Sequence, residues 1–561
     1  MSPRCGYKDP HAKRRWRPSN RFIASSSLLL AMITSTLLPE LITESAEHRP
    51  DAPALSAGGE ARTYATLAQD VASFAEGVVH LGLGRGERLG IYLEKRFETV
   101  IGAFGAAAAG GVFVPLNPIL KPQQVAYILR DCSVRVLVTS AERLAALDPE
   151  LDHCPDLRHV VIVGAREGAK PATLRAMHRF DDVVADRSGP LHRVIDTDVV
   201  AILYTSGSTG KPKGVVLSHR NMVAGAKSVA AYLENRAGDS LLAVLPLSFD
   251  AGFSQLTTAF HAGARAVLLN HLLPKDVITA LRDERITGLT AVPPLYIQLA
   301  QLQWPASIGG HLRYFANTGG RMPLDTLTKL RARVPAAKPY LMYGLTEAFR
   351  STYLPPEEVD RRPDSIGKAI PNAEILVLRE DGTQCAANEP GELVHRGALV
   401  GLGYWNDPEK TAERYKPLRD RETGLTLPEY AVFSGDTVRA DDEGYLYFIG
   451  RRDEMIKTSG YRVSPTEIEE ALYATKLVGE AAAFGVPHPV LGQAIVVVTT
   501  PPLNGTVDER ALLAACRDCL PAYMVPARID VREGPLPRNS NGKIDRKALS
   551  LEFAEQDAIS T

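Results

Sequence analysis

Residues 204–214 read Tyr-Thr-Ser-Gly-Ser-Thr-Gly-Lys-Pro-Lys-Gly. The run Val199-Val200-Ala201-Ile202-Leu203 before it and Val215-Val216-Leu217 after it are short, apolar and β-rich, so the stretch reads as a loop between two strands. Its glycines let backbone N–H groups turn inward. The hydroxyls of Thr205, Ser206, Ser208 and Thr209 and the ammonium groups of Lys211 and Lys213 add donors, a combination suited to polyphosphate. The loop is not of the Walker A kind, which requires glycine where Thr205 stands, Ser or Thr where Pro212 stands, and a lysine that opens a helix. Pro212 and Gly214 oppose a helix start, so the loop is expected to be a mobile phosphate clamp without a helix dipole.

The rest of the chain sets bounds. With 561 residues it exceeds one core, and its length suggests about three or four compact units. Lys+Arg number 64 against Asp+Glu 65, so no bulk charge recruits nucleic acid or an anionic membrane. Six cysteines, at 5, 132, 154, 385, 516 and 519, fit a reducing, cytoplasmic compartment better than a disulfide framework. Cys516 and Cys519 follow an Ala/Leu helical pattern with no second ligand pair nearby, and read as plain helix cysteines. Residues 1–21 hold seven Lys/Arg, and residues 22–38 are uncharged, which imitates a signal peptide. Six Ser/Thr in that run and the lack of an Ala-x-Ala-like site favour, for residues 1–36, a disordered extension or a chain that truly starts at Met32.

From residue 41 to 139 helices and strands alternate: helices at 65–81 and 97–109, strands at 88–93, 111–116 and 136–138. Residues 141–197 look more polar, a connector leading into the phosphate loop. A helix at 219–233, a strand at 241–245 and further alternation to the strand at 314–317 continue the pattern, which predicts layered α/β units with largely parallel sheets. Ligands then collect beyond the carboxyl ends of the strands, where loop 317–321 with Gly319 and Gly320 lies. Residues 364–450 predict a small β-rich subdomain. The charge cluster at 450–454 marks a boundary, followed by a helix from 464, strands near 482 and 495, and a helix from 508.

Read in order, these motifs resemble the adenylate-forming (AMP-binding) superfamily: acyl-CoA synthetases, adenylation domains of peptide synthetases, and luciferases. The likeness runs from Leu37 to Leu549. It implies that residues 205–211 and Gly319, Gly320 and Gly344 cradle the nucleotide. Tyr343-Gly344-Leu345-Thr346-Glu347 matches the family's Y-G-x-T-E; Tyr343 would stack on adenine, Thr346 contact the α-phosphate, and Glu347 hold Mg²⁺. Asp436, in Ser434-Gly435-Asp436, would accept the ribose hydroxyls, with Arg451 as a second ribose contact and Asp453 as the hinge. Lys543, in Pro537-Arg538-Asn539-Ser540-Asn541-Gly542-Lys543, matches the catalytic lysine, bridging substrate carboxylate and α-phosphate. The resemblance thus makes Lys543, Thr346 and Glu347 the catalytic set.

The substrate pocket is expected at Phe249, Asp250, Phe253 and Leu345. Phe249-Asp250 is similar to the Phe-Asp of amino-acid-activating domains, whose aspartate pairs with the substrate's amino group. For a plain acyl substrate Asp250 must instead turn to a backbone or hydroxyl partner such as Ser248 or Ser254. The overall wording is most similar to acyl-CoA ligases associated with bacterial exosortase systems.

These readings combine into an α/β enzyme. An N-terminal AMP-binding domain at 37–449 includes the β-rich subdomain, and a hinge at 450–454 leads to a mobile α+β C-terminal domain at 455–550 with a tail at 551–561. The expected activity is an ATP- and Mg²⁺-dependent acid–thiol ligase that makes an acyl-AMP and passes the acyl group to CoA. An amino-acid adenylating enzyme that loads a separate carrier protein is the alternative, since the seventeen residues after Ile544 are too few for a carrier domain. A catalytically dead scaffold would be expected to have lost Lys543, Glu347 or Asp436, and all three are present. Neither nucleic acid nor integral membrane association is expected.

Overall fold

The alternation of apolar strands and amphipathic helices builds two large sheets in the computed structural model. The structure describes residues 35–164, 175–185, 189–205, 212–418, 427–451, 454–458, 461–488, 491–502, 505–539 and 542–559. Among them, a seven-stranded sheet holds Arg88–Tyr92 at its centre, parallel to Val112–Pro115 and Val134–Ser140. At one edge Lys213–Ser218 runs antiparallel to Val199–Thr205, so the polyphosphate-type loop joins a hairpin, not a strand and a helix. A nine-stranded sheet carries Ser240–Ala243, Gly288–Ala291, Tyr314–Asn317 and Lys338–Tyr343 in parallel through its middle.

Helices Tyr64–His80, Phe97–Ala108, His219–Tyr232 and Asp250–His261 contribute most of their buried apolar residues to one core shared with both sheets. Stacked rings mark its middle: Phe253 lies 4.8 Å from Phe113 and 5.8 Å from Phe104 between ring centroids. A third, antiparallel sheet is formed by Ala373–Leu378, Gly391–Gly397, Tyr415–Pro417, Tyr430–Ala440 and Leu446–Arg451, as the short strands and Gly turns of that region predict. From Ile456 onward the chain builds a further sheet with its own apolar clusters. Cys516 and Cys519 both lie on helix Glu509–Cys519 as free thiols. No described helix is long and apolar enough to cross a membrane.

Two expectations are corrected. Residues 141–197 are not a mere connector: helix Ala141–Leu151 and strands His159–Val163 and Ala176–Arg179 extend the seven-stranded sheet. The apolar run Val160-Val161-Ile162-Val163 is short and flanked by polar residues, which hid its strand character. The strand expected at 241–245 ends at Ala243. There the backbone leaves the ladder, because the Lys95 ammonium claims the carbonyls of Val244 and Leu245 at 2.7 and 3.4 Å and the Gln255 carboxamide accepts the Leu245 N–H.

Three buried histidines make this fold sensitive to acid. His219 Nδ1 accepts the Leu38 N–H at 3.0 Å, His395 Nδ1 lies 2.9 Å from Ser351 Oγ, and burial pulls His219, His261 and His395 each down to about 4. An unfolded chain protonates these rings near pH 6.5, so it binds more protons than the fold between that pH and 4. Stability is therefore complete above the unfolded value and drains as pH falls through the folded one. Scanning Tm from pH 8 to 4 is expected to show a plateau above about pH 7 and a steady fall below it; a flat profile down to pH 4.5 would contradict this.

Candidate active site

Strand Lys338–Tyr343 delivers Tyr343 to the carboxyl edge of the nine-stranded sheet, and the chain then turns through the 3₁₀ segment Thr346–Ala348. The Tyr343 hydroxyl donates to Asp436 Oδ2 at 2.5 Å. Asp436 faces Arg451 across the antiparallel sheet, with Nε 3.3 Å from Oδ1. Burial pushes the Asp436 carboxyl up while Arg451 pulls it down, and burial together with Asp436 holds the Tyr343 phenol well above its ordinary value. Asp436 Oδ1 is buried and accepts no hydrogen bond among the described residues. A carboxylate oxygen in that condition is costly unless a donor arrives, and adjacent ribose hydroxyls fit it.

Glu347 is joined to the phosphate-loop hairpin through residues 401–405. Its backbone carbonyl accepts the Gly401 N–H at 2.8 Å, and its Oε1 accepts the Tyr404 hydroxyl at 2.6 Å. Trp405 N–H in turn donates to the Gly214 carbonyl at 2.7 Å, and the Lys213 ammonium lies 5.2 Å from the Tyr404 ring centre. Carboxylate and phosphate loop are thus held together. Among the described residues no group of three or more His, Cys, Asp or Glu forms a metal cage. Glu347 offers a hard carboxylate oxygen beside the phosphate-loop hairpin, a donor type that suits Mg²⁺.

Lys543 enters from the C-terminal hairpin. That turn is pinned by Asn539, whose N–H donates to the Lys543 carbonyl at 2.8 Å while its side chain accepts the Lys543 N–H at 3.1 Å. The lysine reaches the loop after Tyr314–Asn317: a Cβ placed on Gly319, whose φ is +77°, would stand 3.5 Å from Lys543 Cε and 4.0 Å from Phe249 Cζ. Those are ordinary contact distances, so it is the left-handed backbone that favours glycine here. Protein surrounds the ammonium while the side chain stays exposed to the cleft. Burial and Arg451 lower its pKa, and Asp250 and Asp436 act against that. Lys543 therefore stands within electrostatic reach of two carboxylates, Asp436 at the Tyr343 end and Asp250 at the Phe249 end. Two ion pairs dock the surrounding C-terminal unit: Arg321 with Glu470, and Asp325 with Lys476 at 3.9 Å.

The Phe249 end departs from expectation. Asp250 does not turn to Ser248 or Ser254. Its Oδ2 accepts Arg350 Nη1 at 3.0 Å and its Oδ1 accepts the Thr346 hydroxyl at 3.2 Å. Burial raises the Asp250 carboxyl and Arg350 works against that rise. Arg350 reaches it because Phe349 adopts φ 56°, ψ −48°, so that Arg350 N–H bonds the Ala348 carbonyl at 2.6 Å in a γ-turn. A bulky residue there costs about 1–3 kcal/mol. Gly225 makes room for it, since a Cβ on Gly225 would come 2.3 Å from Phe349 Cδ1. Phe253, expected in the pocket, lies in the aromatic stack of the core, while Phe249 and Leu345 are half-buried.

The structure groups Tyr343, Asp436 and Arg451 in one cluster and Phe249, Asp250, Thr346 and Gly319 in another, with Lys543 beside Gly319 and within electrostatic reach of both carboxylates. Gly320 follows in the same loop, its carbonyl accepting Asn317 Nδ2 at 2.7 Å. Thr205 ends its strand and Gly344 follows Tyr343; Ser206, Gly207, Ser208, Thr209, Gly210 and Lys211, and Asp453, expected as the hinge, lie outside the described residues. Sequence reasoning missed Arg350 and Tyr404. Arg350 sits three residues past Glu347 and carried no signal of its own. Tyr404 belongs to Gly401-Leu402-Gly403-Tyr404-Trp405, whose glycine-aromatic density was the available clue.

Comparison with known proteins gives a consistent set of matches. The family profile "AMP-binding enzyme" matches residues 42–405, and "AMP-binding enzyme C-terminal domain" matches residues 467–543. A long-chain-fatty-acid–CoA ligase of Bacillus subtilis (strain 168) is 27% identical over 554 residues, spanning 93% of this chain and 95% of that protein. A linear gramicidin synthase of Brevibacillus parabrevis is 30% identical over 512 residues, 90% of this chain but 6% of the synthase. ATP-bound MatB from Rhodopseudomonas palustris superposes with a TM-score of 0.81 at 24% identity, covering 92% of this chain and 99% of that one. The anthranilate CoA ligase AuaEII in complex with anthranoyl-AMP gives 0.83 at 24% identity, covering 93% and 98%. At that identity the two structures speak for the fold alone.

Asp436→Ala is expected to raise the KM for ATP about 10–100-fold, since hydrogen bonds to a charged group are worth about 1.5–3 kcal/mol. Initial rates at varied ATP, paired with calorimetric ATP binding, check this; unchanged ATP affinity would remove Asp436 from the nucleotide site.

Proposed function

The chain belongs to the AMP-binding enzyme family, and on that premise we propose that it is an AMP-forming acyl-CoA synthetase acting on a carboxylic acid that carries no α-ammonium group. The observation that carries the reading is Lys543 Cε beside Gly319, with its ammonium within electrostatic reach of both Asp436 and Asp250. ATP occupies the Tyr343–Asp436–Arg451 end, with the acid carboxylate beside Phe249 and Gly319. The acid oxygen attacks the α-phosphate, the bond to the β-phosphate oxygen breaks, and pyrophosphate leaves. Lys543 offsets the negative charge that grows on the α-phosphate oxygens, a role that in-line phosphoryl chemistry rewards strongly. Thr346 presents its hydroxyl from the same rim, and Glu347 holds Mg²⁺, which neutralises the phosphates when bound. A thiol then attacks the acyl carbon and AMP departs.

Asp250 separates the two candidate substrate classes. An amino-acid-activating site needs a carboxylate free for the substrate's ammonium, whereas Asp250 already pairs with Arg350, both side chains being under 5% exposed. Its charge is satisfied from within, which favours a plain acid. CoA as acceptor is supported by relatives named for CoA ligation, and the gramicidin synthase relatives support the runner-up, a separate carrier protein. The exosortase-associated subgroup, a cytoplasmic location, and a hinge at 450–454 with Asp453 belong to the same proposal.

ATP–pyrophosphate exchange over fatty, aryl and amino acids tests the reading: plain acids should drive exchange, and exchange with amino acids alone would overturn it. Lys543→Ala is expected to abolish acyl-AMP formation yet spare thioester formation from supplied acyl-AMP, because its charge serves the first transition state. Equal loss in both half-reactions, measured separately, would count against that assignment.

A further inference from the structure

The acid's tail must lie at the Asp250 end of the cleft, because Tyr343, Asp436 and Arg451 crowd the other. That end is rimmed by Phe249, Val292 and Gly319. Behind the rim stands the Asp250–Arg350 pair, its side chains 4% and 3% exposed. Arg350 Nη1 is held by Asp250 Oδ2 at 3.0 Å and by the Phe349 carbonyl at 3.2 Å, and the γ-turn seated over Gly225 leaves it little freedom. Swinging Arg350 aside would strand a buried carboxylate.

Beyond the pair lies a cavity of about 20 Å³, bordered by Arg350, Ser254, Gln255, Thr258, Thr290 and Met342. It has room for a water molecule, against roughly 300–1,000 Å³ for sites that enclose sizeable ligands. Its lining is mixed, with Val229, Leu233, Leu241 and Leu242 beside the polar groups, so its small size, not its chemistry, is what bars a chain. Gln255 is fixed in place, its amide donating to the carbonyls of Leu242 at 2.7 Å and Thr290 at 3.0 Å. Arg350 Nε is buried without an acceptor among the described residues, which also makes the space behind it polar.

Resting on the ligase reading above, we infer that the Asp250–Arg350 pair is a plug that sets chain length, so that this enzyme activates short acids and excludes long ones. The guanidinium occupies the depth into which a long chain would extend. Arg350 is in this sense a specificity residue, which neither donates to the reacting atoms nor binds the nucleotide.

The test compares butanoate, octanoate, hexadecanoate and butanedioate in ATP–pyrophosphate exchange with the full chain. The wild type is expected to prefer butanoate, with kcat/KM falling at least tenfold at octanoate and further at hexadecanoate. Replacing the pair by small apolar side chains, Asp250→Ala with Arg350→Ala, empties that depth and avoids leaving one charge unpaired. It is expected to raise the octanoate-to-butanoate ratio of kcat/KM at least tenfold, while Arg350→Lys keeps the wild-type ratio. A merely structural pair would lower all acids together and leave the ratio unmoved, which would overturn the inference. If the double variant fails to fold, the wild-type profile decides: hexadecanoate activated as well as butanoate refutes the plug. Preference for butanedioate refutes it also, because Arg350 would then be an anion anchor. Exchange with none of these acids or any other would strike the ligase reading instead.

Discussion

A lysine ammonium within electrostatic reach of two buried carboxylates is the constraint on which the remaining architecture depends. Asp250 comes from a helix packed in the core between the large sheets, and Asp436 from the antiparallel sheet. Lys543 arrives on a hairpin from the far C-terminal end of the chain. None of the three could be placed by local structure alone. Each carboxylate is also held by a guanidinium, Arg350 at one end and Arg451 at the other. Lys543 is thus a further cation within electrostatic reach of both carboxylates, each already paired with its own guanidinium. A phosphate placed beside that cation finds positive charge already positioned, so little reorganisation is needed when charge builds up.

Among the described residues, the ion pairs that join the C-terminal unit to the rest of the fold lie at the surface: Arg321 with Glu470 and Asp325 with Lys476, their side chains about a third or more exposed. Pairs of that kind contribute about 0.2–1 kcal/mol each. The hairpin itself is firmly built, with Arg538 paired to Glu480 and Arg546 bonded to both Glu469 and Glu454. On the proposed hinge reading, pairs so exposed would oppose little a movement of that unit between two half-reactions.

Much of this was legible in the sequence because the relevant signals are local. Two apolar runs around a glycine-rich loop announced a hairpin, and Pro212 and Gly214 excluded a helix. Alternating strands and helices announced parallel sheets. The short motifs around Tyr343 and Asp436 pointed to residues that the structure joins by a hydrogen bond. What failed to show was non-local. Nothing in Phe349-Arg350 announces a left-handed backbone turn, because the notch that permits it lies at Gly225, 124 positions earlier. The partner of Asp250 was sought among neighbouring serines, and it lies 100 residues away. Phe253 read as a pocket residue because it follows Asp250 closely, whereas helix geometry turns it into the core stack.

The account's central claim is that the docked arrangement, with Lys543 within electrostatic reach of Asp250 and Asp436, is the one that makes the acyl-adenylate. Locking it tests the claim directly. Arg321→Cys and Glu470→Cys, in a chain with Cys5, Cys385 and Cys519 changed to serine, can be bridged by a short bis-maleimide at the place where the two wild-type side chains meet. The bridged protein is predicted to retain ATP–pyrophosphate exchange with its acid and to lose transfer to CoA. Bridged protein that forms the thioester as fast as the unbridged control, or that loses exchange while keeping transfer, would contradict it.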